Sequence, residues 1–256
     1  MNYIDGNIQH EIPIVITVFA DKHLYQIDEI LPDPLNLHYY DPEQGLPSNL
    51  DEADALLVRT VTEVNEQTLS PVPTNLRFVG TGSAGIDHID TDFLQRHGIR
   101  AANSAGCNAR SVAEYVVTAL LLWSQKEKVN LKNECIGIAG VGHVGSELKK
   151  LLDDLQWPCR CYDPPRAERD PGFSTVTRNE LLECSILTFH TPLTFDGTYA
   201  THHLLDADLL STNAFKLVIN SARGGVVDEQ AVLEAKSAGR LHDLVIDVWE
   251  EEPCFH

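Results

Sequence analysis

Six residues, Gly140-Val141-Gly142-His143-Val144-Gly145, have the types and spacing of a turn that binds a dinucleotide. An apolar run precedes them, a helical pattern follows them, and Asp163 closes a second strand-like stretch. Glycines in this pattern let the backbone approach a pyrophosphate, whose charge then lies at a helix N-terminus. We therefore predict a dinucleotide site with Gly140, Gly142, His143, Val144, Gly145 and Asp163 as its contacts.

The acid at position 163 indicates which dinucleotide fits. A carboxylate at the end of the second strand of such a unit accepts hydrogen bonds from ribose hydroxyls and repels a 2′-phosphate, so Asp163 favours NAD over NADP. Arg166 and Arg169 follow closely and, as cations, could favour the phosphate instead. We place both arginines on a solvated loop.

Four further clusters of polar residues and glycines each follow a strand-like segment. In open parallel sheets the ligand lies at the carboxyl ends of the strands, so these clusters are candidates for a site. Arg223 in one of these clusters could bind a carboxylate, because a planar guanidinium does so through two hydrogen bonds, although it could instead pair with Asp228. The clusters are Arg59-Thr60 with Gly80 to Gly85, Phe189 to Pro192, Asn220 to Gly225, and Asp247 to Pro253.

Strand-like and helix-like segments alternate along the whole chain, a pattern typical of parallel sheets with helical crossovers. The predicted strands are 14–18, 37–40, 55–58, 77–80, 99–101, 135–139, 160–162, 186–189, 217–220 and 244–248. The main predicted helices are 88–97, 109–128, 144–155 and 228–238. The predicted fold class is α/β, with two doubly wound parallel-sheet domains, residues 1–106 and 107–256, and a cleft between them.

Composition narrows the class of protein and of partner. The 256 residues are 43% hydrophobic and carry a formal charge of −19, which disfavours nucleic acid and anionic membrane surfaces as partners. The longest apolar stretch, 112–123, is too short to span a bilayer, and no secretory pattern opens the chain. The six cysteines are expected to be reduced core thiols in a cytoplasmic protein, because the alternative, a zinc site at Cys159 and Cys161, lacks a second ligand pair.

From about residue 50 to 253 the sequence resembles the D-2-hydroxyacid dehydrogenase family. The resemblance rests on Gly80-Thr81-Gly82-Ser83-Ala84-Gly85-Ile86-Asp87, Ser111-Val112-Ala113-Glu114, the glycine-rich turn, Asn220-Ser221-Ala222-Arg223-Gly224 and the segment from Asp247 to Pro253. It implies a flavodoxin-like substrate domain, a Rossmann NAD-binding domain, and hydride transfer from a 2-hydroxy acid to NAD.

The resemblance also implies roles for single residues. Arg223 would bind the substrate carboxylate, and Glu252 would orient and raise the pKa of a catalytic histidine. From the residues alone, Glu250 and Glu251 are equal candidates for the role of Glu252. The implied NAD contacts beyond the glycine turn are Thr191, Ser221, Ala222, Arg223 and Asp247, and the implied substrate contacts are Arg59, Thr60 and Ser83, whose alternative is an ordinary strand-end turn.

Narrower motifs suggest the substrate. Ala105-Gly106-Cys107-Asn108-Ala109, Asp163-Pro164-Pro165-Arg166-Ala167 and the segment 187–193 resemble family members that oxidise 4-phospho-D-erythronate in pyridoxine biosynthesis and are homodimers. The alternatives are a member acting on 3-phosphoglycerate or an unphosphorylated acid, and an NAD-binding module without catalytic activity. The expected partner is a small phosphorylated hydroxy acid, and no metal ion is expected.

The family's catalytic histidine lies on a loop shortly after the Glu-Pro motif, which here is Glu252-Pro253. This chain ends at Cys254-Phe255-His256, before that loop. On the resemblance, we expect the 256 residues to bind NADH but to show little turnover, because proton transfer by a positioned base is worth about 10²–10⁴-fold in rate.

Overall fold

The computed structural model describes residues 15–32 and 34–250. Contacts between Cα atoms divide the chain into two compact units, Met1–Cys107 and Asn108–His256. The two units are described in turn. Glu252, proposed to act through a catalytic histidine, lies outside the described residues, as do Glu251, Pro253 and the last three residues.

The first unit contains one parallel sheet of five strands, in the order β2-β1-β3-β4-β5. This order reverses direction between β1 and β3, which is the flavodoxin-like arrangement. The strands are β1 (Ile16–Asp21), β2 (Leu35–Tyr40), β3 (Ala55–Val58), β4 (Phe78–Thr81) and β5 (Arg100–Asn103). Two short helices, α1 (Ile27–Ile30) and α2 (Thr91–Arg96), and two 3-10 turns at Pro42–Gln44 and Leu50–Glu52 complete the described elements of this unit.

The second unit contains another parallel five-stranded sheet, in the order β10-β9-β8-β6-β7. Its strands are β6 (Ile136–Ala139), β7 (Cys159–Tyr162), β8 (Ile186–Phe189), β9 (Phe215–Asn220) and β10 (Leu241–Ile246). The helices are α3 (Ala109–Glu127), α4 (His143–Leu155), α5 (Pro164–Arg169), α6 (Arg178–Leu182), α7 (Ala207–Thr212) and α8 (Glu229–Ser237), with a 3-10 turn at Leu131–Asn133.

The central strands of the second unit are predominantly apolar because helices cover both faces of the sheet. In β9, Leu217 and Ile219 pack in one cluster with residues of α3 and α4. Val218, between them, packs in the other cluster with residues of α6, α7 and α8. The doubly wound α/β fold predicted from the sequence is therefore confirmed.

Most element boundaries lie within three residues of the predicted ones, and β3 lies where it was predicted. One prediction was wrong in kind: Arg166 and Arg169 lie on the short helix α5, not on a loop. The helix begins there because the Asp163 carboxylate caps it, accepting a hydrogen bond from Arg166 N, and because proline at the first helical position needs no hydrogen-bond partner. Among the described residues, no helix is both long enough and apolar enough to cross a membrane.

Candidate functional site

Five loops at the carboxyl ends of the second sheet hold nearly all the predicted cofactor contacts. Following the order of the strands, they begin with Asp163 after β7, Gly140 after β6, His190 after β8, Ser221 after β9 and Asp247 after β10. Neighbouring strands are about 4.8 Å apart, so the row of loops extends for roughly 19 Å. This edge contains the point where the strand order reverses, between β6 and β8, which is where such sheets bind ligands.

The glycine-rich turn lies tightly against its surroundings. Gly140 has a φ of +85°, and a Cβ atom there would lie 2.7 Å from the backbone carbon of His190. A Cβ on Gly145 would lie 2.1 Å from the carbonyl oxygen of Gly140. Glycine at these two positions therefore lets the loops after β6 and β8, and the first turn of α4, pack together.

The N-terminus of α4 is open on the side where an anion would bind. Gly142 is its N-cap residue, no side chain caps the helix, and no atom lies within 4 Å of where a Cβ on Gly142 would be. His143 and Val144 are the first two helical residues, and His143 is exposed. Free backbone N–H groups and the helix dipole favour a pyrophosphate at this position.

Asp163 connects the end of β7 to the glycine-rich turn. Its Oδ2 accepts a hydrogen bond from Val141 N at 2.8 Å, and its Oδ1 accepts one from Arg166 N at 3.0 Å. Each carboxylate oxygen can accept more than one hydrogen bond, and Asp163 also lines the cavity described below. It therefore fixes the turn and still presents negative charge to a ligand.

Arg166 holds the glycine-rich turn from the other side. Its Nη1 donates to Val141 O at 2.6 Å and to Ser146 Oγ at 2.9 Å. The guanidinium lies 4.3 Å from the centre of the Phe173 ring and pairs with Asp170 at 3.4 Å. These contacts make Arg166 a part of the protein scaffold, so it does not present its charge to a 2′-phosphate.

A cavity of about 770 Å³ opens beside this row of loops. Gly140, Gly142, Asp163 and Thr191 line it, and the Thr191 hydroxyl is a buried polar atom with no hydrogen-bond partner. A buried hydroxyl without a partner is unfavourable, and a polar ligand would satisfy it. The size, the open helix N-terminus and this hydroxyl all fit a dinucleotide.

Sequence reasoning missed residues on the outer side of this cavity. Tyr199 Oη donates to Glu168 Oε1 at 2.6 Å, joining the segment after β8 to α5, and both residues line the cavity. Arg169 and Arg178 line it as well. Tyr199 lies in an irregular segment without a recognisable motif, so no signal in the sequence singled it out.

His190 is among the residues that line the cavity, and it does not take up a proton near neutral pH. Burial lowers its pKa to about 4. Its Nε2 lies 2.9 Å from Thr188 Oγ1, and its Nδ1 lies 3.4 Å from Ser221 Oγ. A neutral imidazole in this position orients the loop that carries Ser221.

The turn that carries Arg223 is held by Asn220, which belongs to a predicted cluster but was not itself predicted as a site residue. The fully buried amide of Asn220 donates from Nδ2 to Arg223 O at 2.9 Å, and its Oδ1 accepts from Ala222 N at 3.1 Å. Arg223 Nη1 donates to Ala222 O at 2.7 Å. A buried polar residue at the end of a strand was the available signal for Asn220.

The segment after β10 is anchored to the start of α8. Asp247 N donates to Asn220 O at 2.9 Å, and the Asp247 carboxylate contributes to a raised pKa of Tyr115 on α3, after burial of that phenol. Glu250 N donates to Glu229 Oε1 at 2.6 Å, and Glu250 Oε1 lies 3.1 Å from His203 Nε2. These contacts fix the residues that lead to Glu252.

The predicted substrate contacts lie together at the carboxyl end of the first sheet. Arg59 follows β3, and its Nε lies 3.4 Å from Oδ2 of the fully buried Asp21 at the end of β1. Thr60 is exposed. Ser83 follows β4, and its hydroxyl donates to Gly85 O at 2.8 Å. A smaller cavity in this unit, about 320 Å³, is lined by Gly82 but by none of these three residues.

No geometry around the described cysteines favours a metal site. Five cysteines lie in the described residues and all are free thiols. In the same ranges, three potential metal ligands come within mutual reach only at Glu127, His242 and Asp243. Asp243 already pairs with Lys126 at 2.7 Å and with Lys236 at 3.1 Å, so this cluster is a surface ion-pair network.

Residues 111–256 match the sequence profile of "D-isomer specific 2-hydroxyacid dehydrogenase, NAD binding domain". The chain is 45% identical over 215 residues to an erythronate-4-phosphate dehydrogenase of Photorhabdus laumondii, covering 83% of this chain and 57% of that protein. It is 44% identical over 218 residues to the same enzyme of Cronobacter sakazakii, covering 84% and 57%.

Among solved structures, a D-lactate dehydrogenase from Aquifex aeolicus in complex with NAD and lactic acid superposes with a TM-score of 0.72. It is 24% identical and covers 92% of this chain and 78% of its own, so it supports the fold alone. The chain spans about 57% of the length of the curated relatives named above.

Proposed function

Because the chain belongs to the family of D-isomer-specific 2-hydroxyacid dehydrogenases, we propose that its protein oxidises 4-phospho-D-erythronate to the 2-oxo acid with NAD as acceptor. The 45% identity to curated erythronate-4-phosphate dehydrogenases carries this proposal. The substrate is a phosphorylated hydroxy acid, and its oxidation in pyridoxine biosynthesis is the role we propose in the cell.

The cofactor is NAD, since residues 111–256 are the family's NAD-binding domain. The pyrophosphate would lie at the N-terminus of α4 beside Gly142, and the adenosine ribose at Asp163. The loops after β8, β9 and β10 would contact the nicotinamide end of the cofactor, through Thr191, Ser221, Ala222 and Asp247. When bound, the nicotinamide accepts the hydride that leaves the substrate carbon.

Arg223 is the residue that we propose for the substrate carboxylate. Asn220 makes hydrogen bonds to backbone atoms of Ala222 and Arg223, so the backbone that carries the guanidinium is held in place. A guanidinium binds a carboxylate through two parallel hydrogen bonds and holds the 2-carbon in one orientation. Glu252, four residues after Val248, would orient the catalytic histidine of the complete enzyme and raise its pKa.

The first unit would hold the rest of the substrate. We propose residues 1–106 as the substrate domain and 107–256 as the NAD-binding domain. Arg59 supplies a cation, and Thr60 and Ser83 supply hydroxyl and N–H donors for a phosphate or carboxylate. Such local cations are needed because the chain as a whole carries a formal charge of −19, which repels anions at long range. We also propose that the protein is cytoplasmic and forms a homodimer.

The proposal is tested by assaying NADH formation from 4-phospho-D-erythronate and NAD. The 256-residue chain is compared with a chimera in which the Photorhabdus laumondii relative's sequence continues after Pro253. We expect both to bind NADH, and the chimera to turn over. Arg223→Ala in the chimera should reduce kcat/KM by at least about 10²-fold, since one charge-assisted contact made in the transition state is lost.

NADH binding serves as the control for folding. A chimera that binds NADH but oxidises D-3-phosphoglycerate in preference to 4-phospho-D-erythronate would identify a different member of the family. A chimera that binds NADH and oxidises no 2-hydroxy acid would contradict the proposed activity and favour an NAD-binding module without turnover.

A further inference from the structure

Two cysteines meet at the amino ends of β6 and β8, at the opposite edge of the sheet from the cofactor loops. Cys135 immediately precedes β6, and Cys184 lies two residues before β8. Their Sγ atoms are 2.7 Å apart, and both are free thiols. This separation is shorter than the roughly 3.5–4.0 Å at which even the smaller carbon atoms make van der Waals contact.

The backbone around both cysteines is fixed by hydrogen bonds. Ile186 N donates to Cys135 O at 3.2 Å. Ser185 Oγ donates to Glu134 Oε2 at 2.6 Å, and Lys216 Nζ from β9 donates to Glu134 Oε1 at 2.7 Å. These hydrogen bonds, made by residues on or next to three strands, therefore hold the two thiols close together in the folded chain.

A glycine in β6 allows the close approach. A Cβ on Gly137 would lie 2.7 Å from Leu181 Cδ1 and 3.4 Å from Cys184 Cβ. The end of α6 thus packs directly on the backbone of β6, and Cys184, which is 1% exposed, enters the core beside Cys135. The close contact is a consequence of how the helix packs on the sheet.

We propose that Cys135 and Cys184 are a dithiol redox pair, which a low-molecular-weight disulfide such as oxidised glutathione converts to an intramolecular disulfide. The bond would join positions 49 residues apart in the sequence. A disulfide that closes a loop of this length within an already rigid frame stabilises the folded chain, chiefly by restricting the unfolded one. The NAD-binding unit would then be more stable in its oxidised form.

The exchange needs no other reactant. The thiolate of the half-exposed Cys135 attacks oxidised glutathione, forming a mixed disulfide and releasing one glutathione thiolate. The Cys184 thiolate then attacks Cys135 Sγ and releases the second glutathione. The protein loses two protons and two electrons, and the glutathione disulfide is reduced to two thiols that take up those protons.

The pKa of the Cys184 thiol affects how readily it attacks in the second step. Burial raises this pKa above its ordinary value. Arg160 on β7 opposes this rise. Its guanidinium is held in place by hydrogen bonds to Glu180 O at 2.6 Å and to Glu183 Oε2 at 2.7 Å. We therefore expect disulfide formation to be slower in Arg160→Gln than in the unaltered chain at the same pH.

The test incubates the 256-residue chain in glutathione buffers of different oxidation state, followed by alkylation of free thiols, intact mass and peptide mapping. We expect two fewer alkylated cysteines per chain than in reducing buffer and a linked peptide pair containing Cys135 and Cys184, both reversed by excess reduced glutathione. The melting temperature of the oxidised form should be higher by about 5 °C or more. NADH affinity should be unchanged, because the pair lies at the other edge of the sheet.

Three variants serve as controls. Cys135→Ser should abolish both the linked peptide and the rise in melting temperature, whereas Cys161→Ser, which removes a buried cysteine of β7, should preserve both. Cys107→Ser removes glutathione adducts at an exposed thiol. Peptide mapping of the unaltered chain decides the outcome even if Cys135→Ser fails to fold. Alkylation of both Cys135 and Cys184 in the oxidised buffer, or a linked pair at Cys159 and Cys161 alone, would overturn the proposal.

Discussion

At the scale of single residues, the candidate cofactor site contains side chains that also hold the protein together. Asp163 accepts hydrogen bonds from Val141 N and Arg166 N, so its carboxylate both fixes the glycine-rich turn and begins α5. Arg166 is bound to the same turn from the other side. We therefore expect the preference for NAD to depend on Asp163, because Arg166 is bound to the protein itself.

Replacing the charge of Asp163 tests this preference. Asp163→Asn keeps a cap for α5 but removes the charge that repels a 2′-phosphate. We expect the ratio of NADPH to NADH dissociation constants, measured by fluorescence titration, to fall about tenfold, which corresponds to about 1.4 kcal/mol. Asp154→Asn, at an exposed acid of α4, is the matched control and should leave the ratio unchanged. A strong preference for NADH retained in Asp163→Asn would refute the assignment.

His190 predicts a dependence of stability on pH. Its pKa in the folded chain is about 4, below the ordinary value of about 6.5, so the unfolded chain takes up a proton first as the pH falls. The stabilisation by neutral His190 is complete above pH 6.5 and is lost as the pH falls toward 4. By linkage this amounts to about 2–3 kcal/mol between pH 7.5 and 4.5.

Urea unfolding of the chain and of His190→Gln at a series of pH values measures this term. Protonation of carboxylates elsewhere in the chain also lowers stability in acid. The informative quantity is therefore the difference in free energy of unfolding between the unaltered chain and His190→Gln. We expect His190→Gln to lose about 2–3 kcal/mol less than the unaltered chain over that range, whereas His242→Gln, at an exposed histidine, should follow the unaltered chain. Parallel curves for His190→Gln and the unaltered chain would show that His190 is not held neutral.

At the scale of elements, the junction between β6 and α4 contains two glycines with different roles. Gly145 is needed for packing, whereas we expect Gly142 to be needed for binding. A Cβ on Gly145 would meet Gly140 O, whereas a Cβ on Gly142 would meet no protein atom within 4 Å. We expect Gly145→Ala to lower the free energy of unfolding by about 1–3 kcal/mol, as overpacking does. Gly142→Ala should leave stability nearly unchanged but weaken NADH binding at least about tenfold, because the methyl group enters the space of the pyrophosphate.

The two variants are compared by denaturant unfolding and by NADH titration. The informative result is the contrast between them, since each serves as the control for the other. If Gly142→Ala binds NADH as tightly as the unaltered chain, the pyrophosphate does not lie at the N-terminus of α4.

The elements also show what the sequence could predict. Apolar runs indicated the central strands, because β6, β8 and β9 are covered on both faces and most of their residues are apolar. Polar residues at strand ends were harder: β1 continues to Asp21, which is fully buried, whereas the prediction ended the strand at residue 18. α5 was missed because its two prolines indicate a loop unless Asp163 is recognised as the cap before them.

The candidate site, like the fold, could be predicted only in part. The glycine-rich turn and Asp163 could be predicted because their spacing is itself the requirement for binding. Tyr199 and Arg166 could not, because their roles depend on hydrogen bonds to residues distant in the sequence. Such contacts exist only once the strands are aligned.

At the scale of the whole molecule, overall charge and local charge act in opposite directions. The chain carries a formal charge of −19, yet the cavity beside the glycine-rich turn has Arg169 and Arg178 in its lining. A dinucleotide is an anion, so long-range repulsion must be offset by these cations and by the helix N-terminus at Gly142. We therefore expect the binding energy to come from one row of loops, those at the carboxyl ends of the second sheet.

Amide hydrogen exchange of the 256-residue chain, with and without saturating NADH, tests that central claim most directly. We predict slower exchange in the loops that follow β7, β6, β8 and β9, at residues 163–166, 140–145, 190–194 and 221–223, because bound cofactor restricts their local opening. The amino ends of the same strands, near Cys135 and Cys184, should exchange at unchanged rates. Saturable NADH binding without protection at 140–145 would contradict the account, because the cofactor would then lie elsewhere.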